Sequence, residues 1–279
     1  MREISVDLIK NQIKEMFIDM NYNIGEDVEN ALKSAEGNEE SPIGKAILGD
    51  LLKNIEIARH DHIPICQDCG SAVVFIDIGQ EVSITGGDLN DAIEDAVRSA
   101  YGEGFLRKSM CHPFTRKNTQ DNTPAIIHAR IVSGDKIHII AGAKGGGSEN
   151  MSIVKMMKPA DGYNGIKDFV LKHVNQAGAN PCPPIVVGIG IGGSFEMSAI
   201  NAKRALLRNI GEHNPDKEIA DMETDLLKNI NCLGIGPEGL GGKTTALAVN
   251  IEMMPCHIAS LPVAININCH ATRHRETTL

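Results

Sequence analysis

Apolar positions in the first quarter of the chain recur at helical spacing. In residues 6–20, Ile9, Ile13, Met16 and Phe17 fall on one face, and residues 25–35 make a second, acidic stretch of helical character. Ser41-Pro42 reads as a helix N-cap with a first-turn proline. Ile47, Leu48, Leu51, Leu52 and Ile55 then give a third amphipathic helix. From residue 60 the pattern changes, and the polar loop 60–70 leads into an apolar strand at 72–78. Residues 88–101 predict a helix with Ile93, Ala96, Val97 and Ala100 inward. Residues 125–132 and 136–140 read as a hairpin turning at Ser133-Gly134-Asp135. Further helices are expected at 163–176, 195–207 and 218–230, the first with Gly178 near its C-terminus, and apolar strands at 185–191, 245–251 and 261–267. There is no repeat and no clear linker. The pattern predicts an α+β (mixed α/β) fold as a single domain over residues 1–279, with helices packed around short mixed β-sheets and a helical N-terminal region.

Composition narrows the function classes. The 279 residues are 42% apolar and 23% charged, which excludes a wholly disordered or collagenous chain. The chain has no Trp, only 3 Tyr and 6 Phe, and a formal net charge of −9. Such a chain lacks stacking platforms and repels phosphate backbones, so no nucleic-acid partner is expected. No run approaches the roughly 20 apolar residues of a membrane span. Met1-Arg2-Glu3-Ile4 opens without an apolar leader, so a cytoplasmic location is expected. Seven cysteines, an odd count, then point to reduced thiols rather than a disulfide framework. Most such thiols serve as small buried hydrophobes; the other use is metal or cluster ligation.

Two glycine-rich stretches imitate nucleotide sites and fail on context. Gly188-Ile189-Gly190-Ile191-Gly192-Gly193 satisfies G-x-G-x-x-G, but the helix after it leads into no apolar strand with an acidic residue. Its glycines are read instead as letting the backbone approach a ligand or another chain. Gly236-Pro237-Glu238-Gly239-Leu240-Gly241-Gly242-Lys243-Thr244 mimics a Walker A loop, but Pro237 stands where the first glycine is required. Proline removes an N–H and stiffens the cradle at its start. A third loop, Lys144-Gly145-Gly146-Gly147-Ser148-Glu149-Asn150, offers exposed N–H groups, a cation and amide donors that suit a carboxylate or phosphate; the alternative is a flexible turn.

Cys66 and Cys69 form C-x-x-C with no second local pair, so a four-thiolate zinc site is poorly supported. The other cysteines, at 111, 182, 232, 256 and 269, are too dispersed for ferredoxin spacing. Spacing alone selects no ligand set. Five blocks, however, resemble class I, iron–sulfur fumarate hydratase: Pro64-Ile65-Cys66-Gln67-Asp68; Asn118-Thr119-Gln120-Asp121-Asn122-Thr123-Pro124; the glycine loop from Lys144 to Asn150; Asn180-Pro181-Cys182-Pro183-Pro184; and His257-Ile258-Ala259-Ser260-Leu261-Pro262-Val263-Ala264 continuing through Cys269-His270-Ala271. The resemblance runs from about residue 40 to the end. A chain closing at Leu279, soon after the Cys269 block, looks like the α subunit of the two-subunit form, and L-tartrate dehydratase α subunits are similar.

The resemblance implies a [4Fe–4S] cluster held by Cys66, Cys182 and Cys269, with Cys256 the competitor for the third role. It implies a hydro-lyase of the tricarboxylic acid cycle type that interconverts fumarate and (S)-malate without NAD or flavin. Where the family pattern continues Thr-Gly after Gln-Asp, this sequence has Cys69-Gly70, so Cys69 is a spare thiol near the cluster. Substrate contacts carry over to Gln67, Asp68, Arg107, Gly147 and Asn150. Proton handling carries over to Asp68 and His257. Without the resemblance, Arg107 reads as a surface charge, Asp68 as a loop-capping residue and His257 as a core histidine. The implied partners are a small dicarboxylate and a β subunit that supplies further arginines. A different class of reading is a cluster-bearing electron-transfer or sensing module, and another is a cluster-free scaffold subunit.

Overall fold

The computed structural model describes residues 1–279. In chain order the elements are β1 (Arg2–Ser5), α1 (Val6–Tyr22), α2 (Glu26–Asn38), α3 (Pro42–Asp61), β2 (Ser71–Gly79), β3 (Val82–Thr85), α4 (Leu89–Glu103), β4 (Ile126–Val132) and β5 (Ile137–Lys144). They continue with the one-turn α5 (Gly146–Glu149), β6 (Ile153–Met157), α6 (Gly162–Ala177), β7 (Ile185–Gly192), α7 (Phe195–Ala205), α8 (Lys217–Asn231), β8 (Ala246–Met254), β9 (Leu261–Asn268) and β10 (His274–Thr278). The three predicted N-terminal helices and the α+β class are borne out. No helix is long and apolar enough to cross a membrane. The chain divides into two compact units, one of residues 1–25, 55–146 and 273–279, the other of residues 26–54 and 147–272.

In the first unit a four-stranded sheet has the order β10-β5-β2-β4, and β1 pairs with β3 in a separate parallel ribbon. The capping side chains suit their positions: Ser5 accepts the Asp7 N–H at the start of α1, and Asp88 accepts those of Asn90 and Asp91 at the start of α4. Ile9, Ile13, Phe17 and Met20 of α1 and Ile93, Ala96, Val97 and Ala100 of α4 are buried with Val74, Ile76 and Ile139 in one apolar core. This is the face the periodicity predicts.

The predicted hairpin is a correction. β4 and β5 do not pair with each other; β2 lies between them, parallel to β4 and antiparallel to β5. β2 is buried along nearly its whole length, as a central strand must be, and its end reaches into the supposed turn. Gly79 N–H donates to Lys136 O, Gln80 N–H to Val132 O and Glu81 N–H to Gly134 O. A Cβ on Gly79 would lie 2.4 Å from Gly134 O, so only glycine fits there.

The second unit holds a sheet of order β6-β9-β7-β8, with β7 parallel to β8 and antiparallel to β9. Ile185, Val187, Ile189 and Ile191 of β7 share a core with Val170 and Val174 of α6 and Leu226 and Ile230 of α8. The glycines of 188–193 approach a neighbour within the same chain. Cβ atoms at 188 and 190 would lie 2.2 Å from Ala202 O and 1.9 Å from Ser198 O, so they admit the backbone of α7.

The Walker-like loop is an anion nest filled from within. The Glu39 carboxylate, 6% exposed, accepts backbone N–H groups from Lys243 at 2.9 and 3.0 Å and from Thr244 at 3.0 Å. It also accepts those of Glu40 and Ser41 at 3.0 Å each. Burial pushes this carboxyl up, but the donors from Lys243, Ser41, Thr244 and Glu40 outweigh it and hold it below the usual carboxylate range. Its stabilisation is therefore complete above the unfolded pKa and is lost as pH falls through the lower folded one. Glu39→Gln should lower stability by about 2 kcal/mol at neutral pH and by progressively less on acidification, as followed by urea unfolding at several pH values.

Candidate functional site

In the first unit the loop before β2 presents two thiols in different environments. Cys66 is half-buried; its Sγ accepts the Asp68 N–H at 3.4 Å and donates to Gln67 Oε1 at 3.2 Å. Cys69 is 1% exposed, and burial pushes its thiol up. Asp68 spans the loop: Oδ1 accepts Gly70 N–H at 3.0 Å and Oδ2 accepts Gly146 N–H at 2.7 Å, so the glycine loop starts against the Cys66 turn. Gln67 is exposed. The segment after α4 packs beside this loop. Cys69 Sγ accepts the Arg107 N–H at 3.1 Å, and Leu106 is buried in the core. The Arg107 side chain is exposed and forms no ion pair within the chain.

A buried asparagine joins these pieces. Asn122 is fully buried; its Oδ1 accepts Ser109 N–H at 2.7 Å and Met110 N–H at 3.2 Å, and its Nδ2 donates to Gly70 O at 3.1 Å. Tyr101 Oη donates to Cys69 O and Gly70 O at 2.8 and 2.9 Å. Neither residue was singled out by sequence reasoning for this role. Asn122 does sit in the Asn118–Pro124 block, and its positive φ of 63° marks a turn that favours asparagine.

In the second unit the loops bearing two distant cysteines meet at one end of the sheet. β7 and β9 pair with Val186 opposite Asn268. Cys182, four residues before Val186, and Cys269, directly after Asn268, therefore leave the sheet at the same end. The loops touch: His270 N–H donates to Cys182 O at 3.2 Å, and His270 Nδ1 lies 3.2 Å from that oxygen and 3.0 Å from Glu238 Oε1. Both neighbours of Nδ1 are acceptors. Cys182 is exposed, with φ of 56°, and Cys269 is half-buried. His270 and Glu238 were missed, although His270 is next to a proposed ligand.

His257 lies elsewhere in this unit. It sits in the exposed loop between β8 and β9, where its Nδ1 accepts the Ala259 N–H at 3.1 Å, and Cys256 Sγ donates to Ser260 O at 3.1 Å. The eight residues of β9 separate that loop from Cys269, which is about 25 Å at strand rise. The chain does not bring His257 or Cys256 to the Cys182–Cys269 corner. Gly147 and Asn150 are exposed at the one-turn α5, with open space where a Cβ on Gly147 would be. Glu149 holds that turn by an ion pair from Lys203 at 2.5 Å and a hydrogen bond from Asn266 Nδ2 at 2.9 Å.

No group of three or more His, Cys, Asp or Glu side chains stands together as a metal site in this structure, while the thiols of Cys66, Cys182 and Cys269 are of a kind that suits iron. None of the seven cysteines is in a disulfide, and Cys66, Cys182 and Cys269 are each at least partly exposed. The Asp68 N–H aimed at Cys66 Sγ is the kind of donor that stabilises a thiolate.

A family model described as "Fumarate hydratase (Fumerase)" matches residues 10–278. The chain is 47% identical over 271 residues, 95% of each sequence, to "Putative L(+)-tartrate dehydratase subunit alpha" of Methanocaldococcus jannaschii. It is 33% identical over 258 residues to "L(+)-tartrate dehydratase subunit alpha" of Escherichia coli strain K12 and of Shigella sonnei, matching 91% of this chain and 84% of each of those. The clamp around Asn122 gives a direct test. Asn122→Ala leaves the Ser109 and Met110 N–H groups unmet while Gly70 O keeps its bond from Tyr101, and should cost about 3 kcal/mol in urea unfolding, more than a Gln67→Ala control at an exposed position.

Proposed function

The chain belongs to the fumarate hydratase (Fumerase) family and is a hydro-lyase α subunit; we propose that its reaction is the reversible hydration of fumarate to (S)-malate. The observation that supports the reading is that the Cys182 and Cys269 loops leave the β7–β9 pair at the same end and touch through His270. With Cys66 they are the proposed ligands of a [4Fe–4S] cluster. When bound, a cluster with three protein ligands supplies one iron with an open position that polarises oxygen.

The remaining roles belong to the chain's own groups. Arg107, whose guanidinium is unpaired, is proposed to take one substrate carboxylate in a bidentate pair. The Gly147 N–H and the Asn150 amide are proposed donors to substrate oxygens, and Gln67 lies beside the ligand Cys66. Asp68 is the proposed proton carrier, giving a proton to carbon in hydration and taking it back in dehydration. The N–H groups of Gly70, on Oδ1, and Gly146, on Oδ2, hold its carboxylate plane. His257, also proposed for proton handling, lies at the opposite end of β9 from Cys269 within this chain.

The α designation of the relatives supports a β subunit as partner, and the proposed site is incomplete without it. A cytoplasmic location is part of the same proposal. The names of the relatives favour a second reading, dehydration of L(+)-tartrate, which differs from malate by one hydroxyl. A site that hydrogen-bonds a hydroxyl can discriminate strongly at that level.

The test is anaerobic co-purification with a candidate β chain, followed by parallel assays on fumarate, malate and tartrate. The expected result is fumarate–malate turnover exceeding tartrate dehydration by about 100-fold in kcat/KM, with the α chain alone inactive. Preference for tartrate establishes the second reading, and inactivity on all three overturns both. Separately, Cys66→Ser, Cys182→Ser and Cys269→Ser should each remove the visible absorbance of the cluster, whereas Cys256→Ser and Cys232→Ser should keep it.

A further inference from the structure

The second thiol of the C-x-x-C pair has no role in the proposed reaction, yet it is among the most constrained groups in the first unit. Cys69 is 1% exposed and part of the apolar core. Its Sγ is engaged on both sides by backbone: it accepts the Arg107 N–H at 3.1 Å and lies 3.7 Å from Cys66 O, to which it donates. Its own carbonyl and that of Gly70 are held by Tyr101 Oη. The thiol thus ties the main chain of the proposed ligand Cys66 to the main chain of the proposed substrate arginine, two segments that no paired strand joins.

We propose that Cys69 is a positioning residue, whose thiol sets the Arg107 backbone against the Cys66 turn so that the guanidinium meets a substrate carboxylate at a fixed place beside the reaction centre. The proposal rests on the reading of Arg107 as a substrate ligand. The geometry argues against the alternative of a fourth cluster ligand. A ligand must be an accessible thiolate, whereas this sulfur is enclosed and both donates and accepts as a neutral thiol. Asn122 holds the next turn of the same segment through Ser109 and Met110, so losing the Cys69 bond frees Arg107 locally and leaves residues 109 and 110 in place.

Thr and Val have the same shape, and only Thr keeps an acceptor and a donor, so Cys69→Thr against Cys69→Val isolates the hydrogen bond. Measured in the α–β holoenzyme, Cys69→Val should raise KM for the dicarboxylate about 5-fold with kcat within about 2-fold, while Cys69→Thr stays within about 2-fold of the parent in both. Hydrogen exchange at the Arg107 amide should be about 10-fold faster in Cys69→Val than in Cys69→Thr, and cluster absorbance should be equal in the two. Where the larger pair fails to fold, Cys69→Ser against Cys69→Ala, both smaller than cysteine, makes the same comparison. Equal KM in the acceptor-bearing and acceptor-free variants of an active enzyme overturns the positioning role, and loss of the cluster from Cys69→Thr makes Cys69 a ligand and overturns it too. A parent complex inactive on every dicarboxylate instead overturns the functional reading beneath it, and the exchange rates then report on the hydrogen bond alone.

Discussion

The register of β7 against β9 is the constraint on which the second unit's part of the proposed site depends. Cys182 and Cys269 belong to loops far apart in sequence, and they meet because one loop enters β7 where the other leaves β9. A one-residue slip would turn every side chain of the strand to the other face and carry the loops out of step. The register is held by burial on both faces, since every residue of β7 is buried. It is also held by α7 lying directly on the main chain at Gly188 and Gly190, where any Cβ would collide with helix carbonyls. The glycines that imitate a nucleotide fingerprint are therefore the means by which strand and helix are locked together, and the strand ends, with their thiols, are placed by that lock.

The Walker-like loop shows the same physics turned to a different use. Converging backbone N–H groups attract a negative charge, and the chain supplies its own in Glu39. The cation one would expect at a phosphate, Lys243, pairs instead with exposed Glu40. A buried carboxylate is costly unless its lone pairs are met. Here four N–H groups meet them without a counter-charge, which is why Glu39 stays ionised while buried. The motif's electrostatics are real, and its ligand is intramolecular.

Most elements were legible because their apolar spacing is a direct consequence of which face is buried: Ile93, Ala96, Val97 and Ala100 face inward as their period requires. Pairing was not legible. β4 and β5 are close in sequence and separated by turn residues, yet the fully apolar β2 takes the place between them, and nothing local records that competition. The short strands β6 and β10 escaped notice because their pairing to β9 and β5 stabilises them more than their sequence does. In the proposed site, Cys66, Asp68, Arg107, Cys182 and Cys269 were readable as motifs. The displacement of His257 along the whole of β9 was not, because a motif gives the order of residues along the chain and the strand inserted within it sets their distance.

What separates the two thiols of the C-x-x-C pair is environment alone, and environment also decides which basic side chains find an acidic partner. The sequence carries 36 acidic residues against 27 basic ones, so an exposed arginine has many potential partners, and Arg98, Arg130 and Arg275 all find them. Arg107 does not, because the segment bearing it is pinned through its backbone by Cys69 and Asn122 rather than drawn to a carboxylate through its side chain. Surface ion pairs contribute little to stability, so leaving one unmade costs the fold almost nothing. If Arg107 takes a substrate carboxylate, as proposed, a competing internal partner would have to be displaced at each binding event, whereas a main chain fixed by buried hydrogen bonds leaves the guanidinium without one.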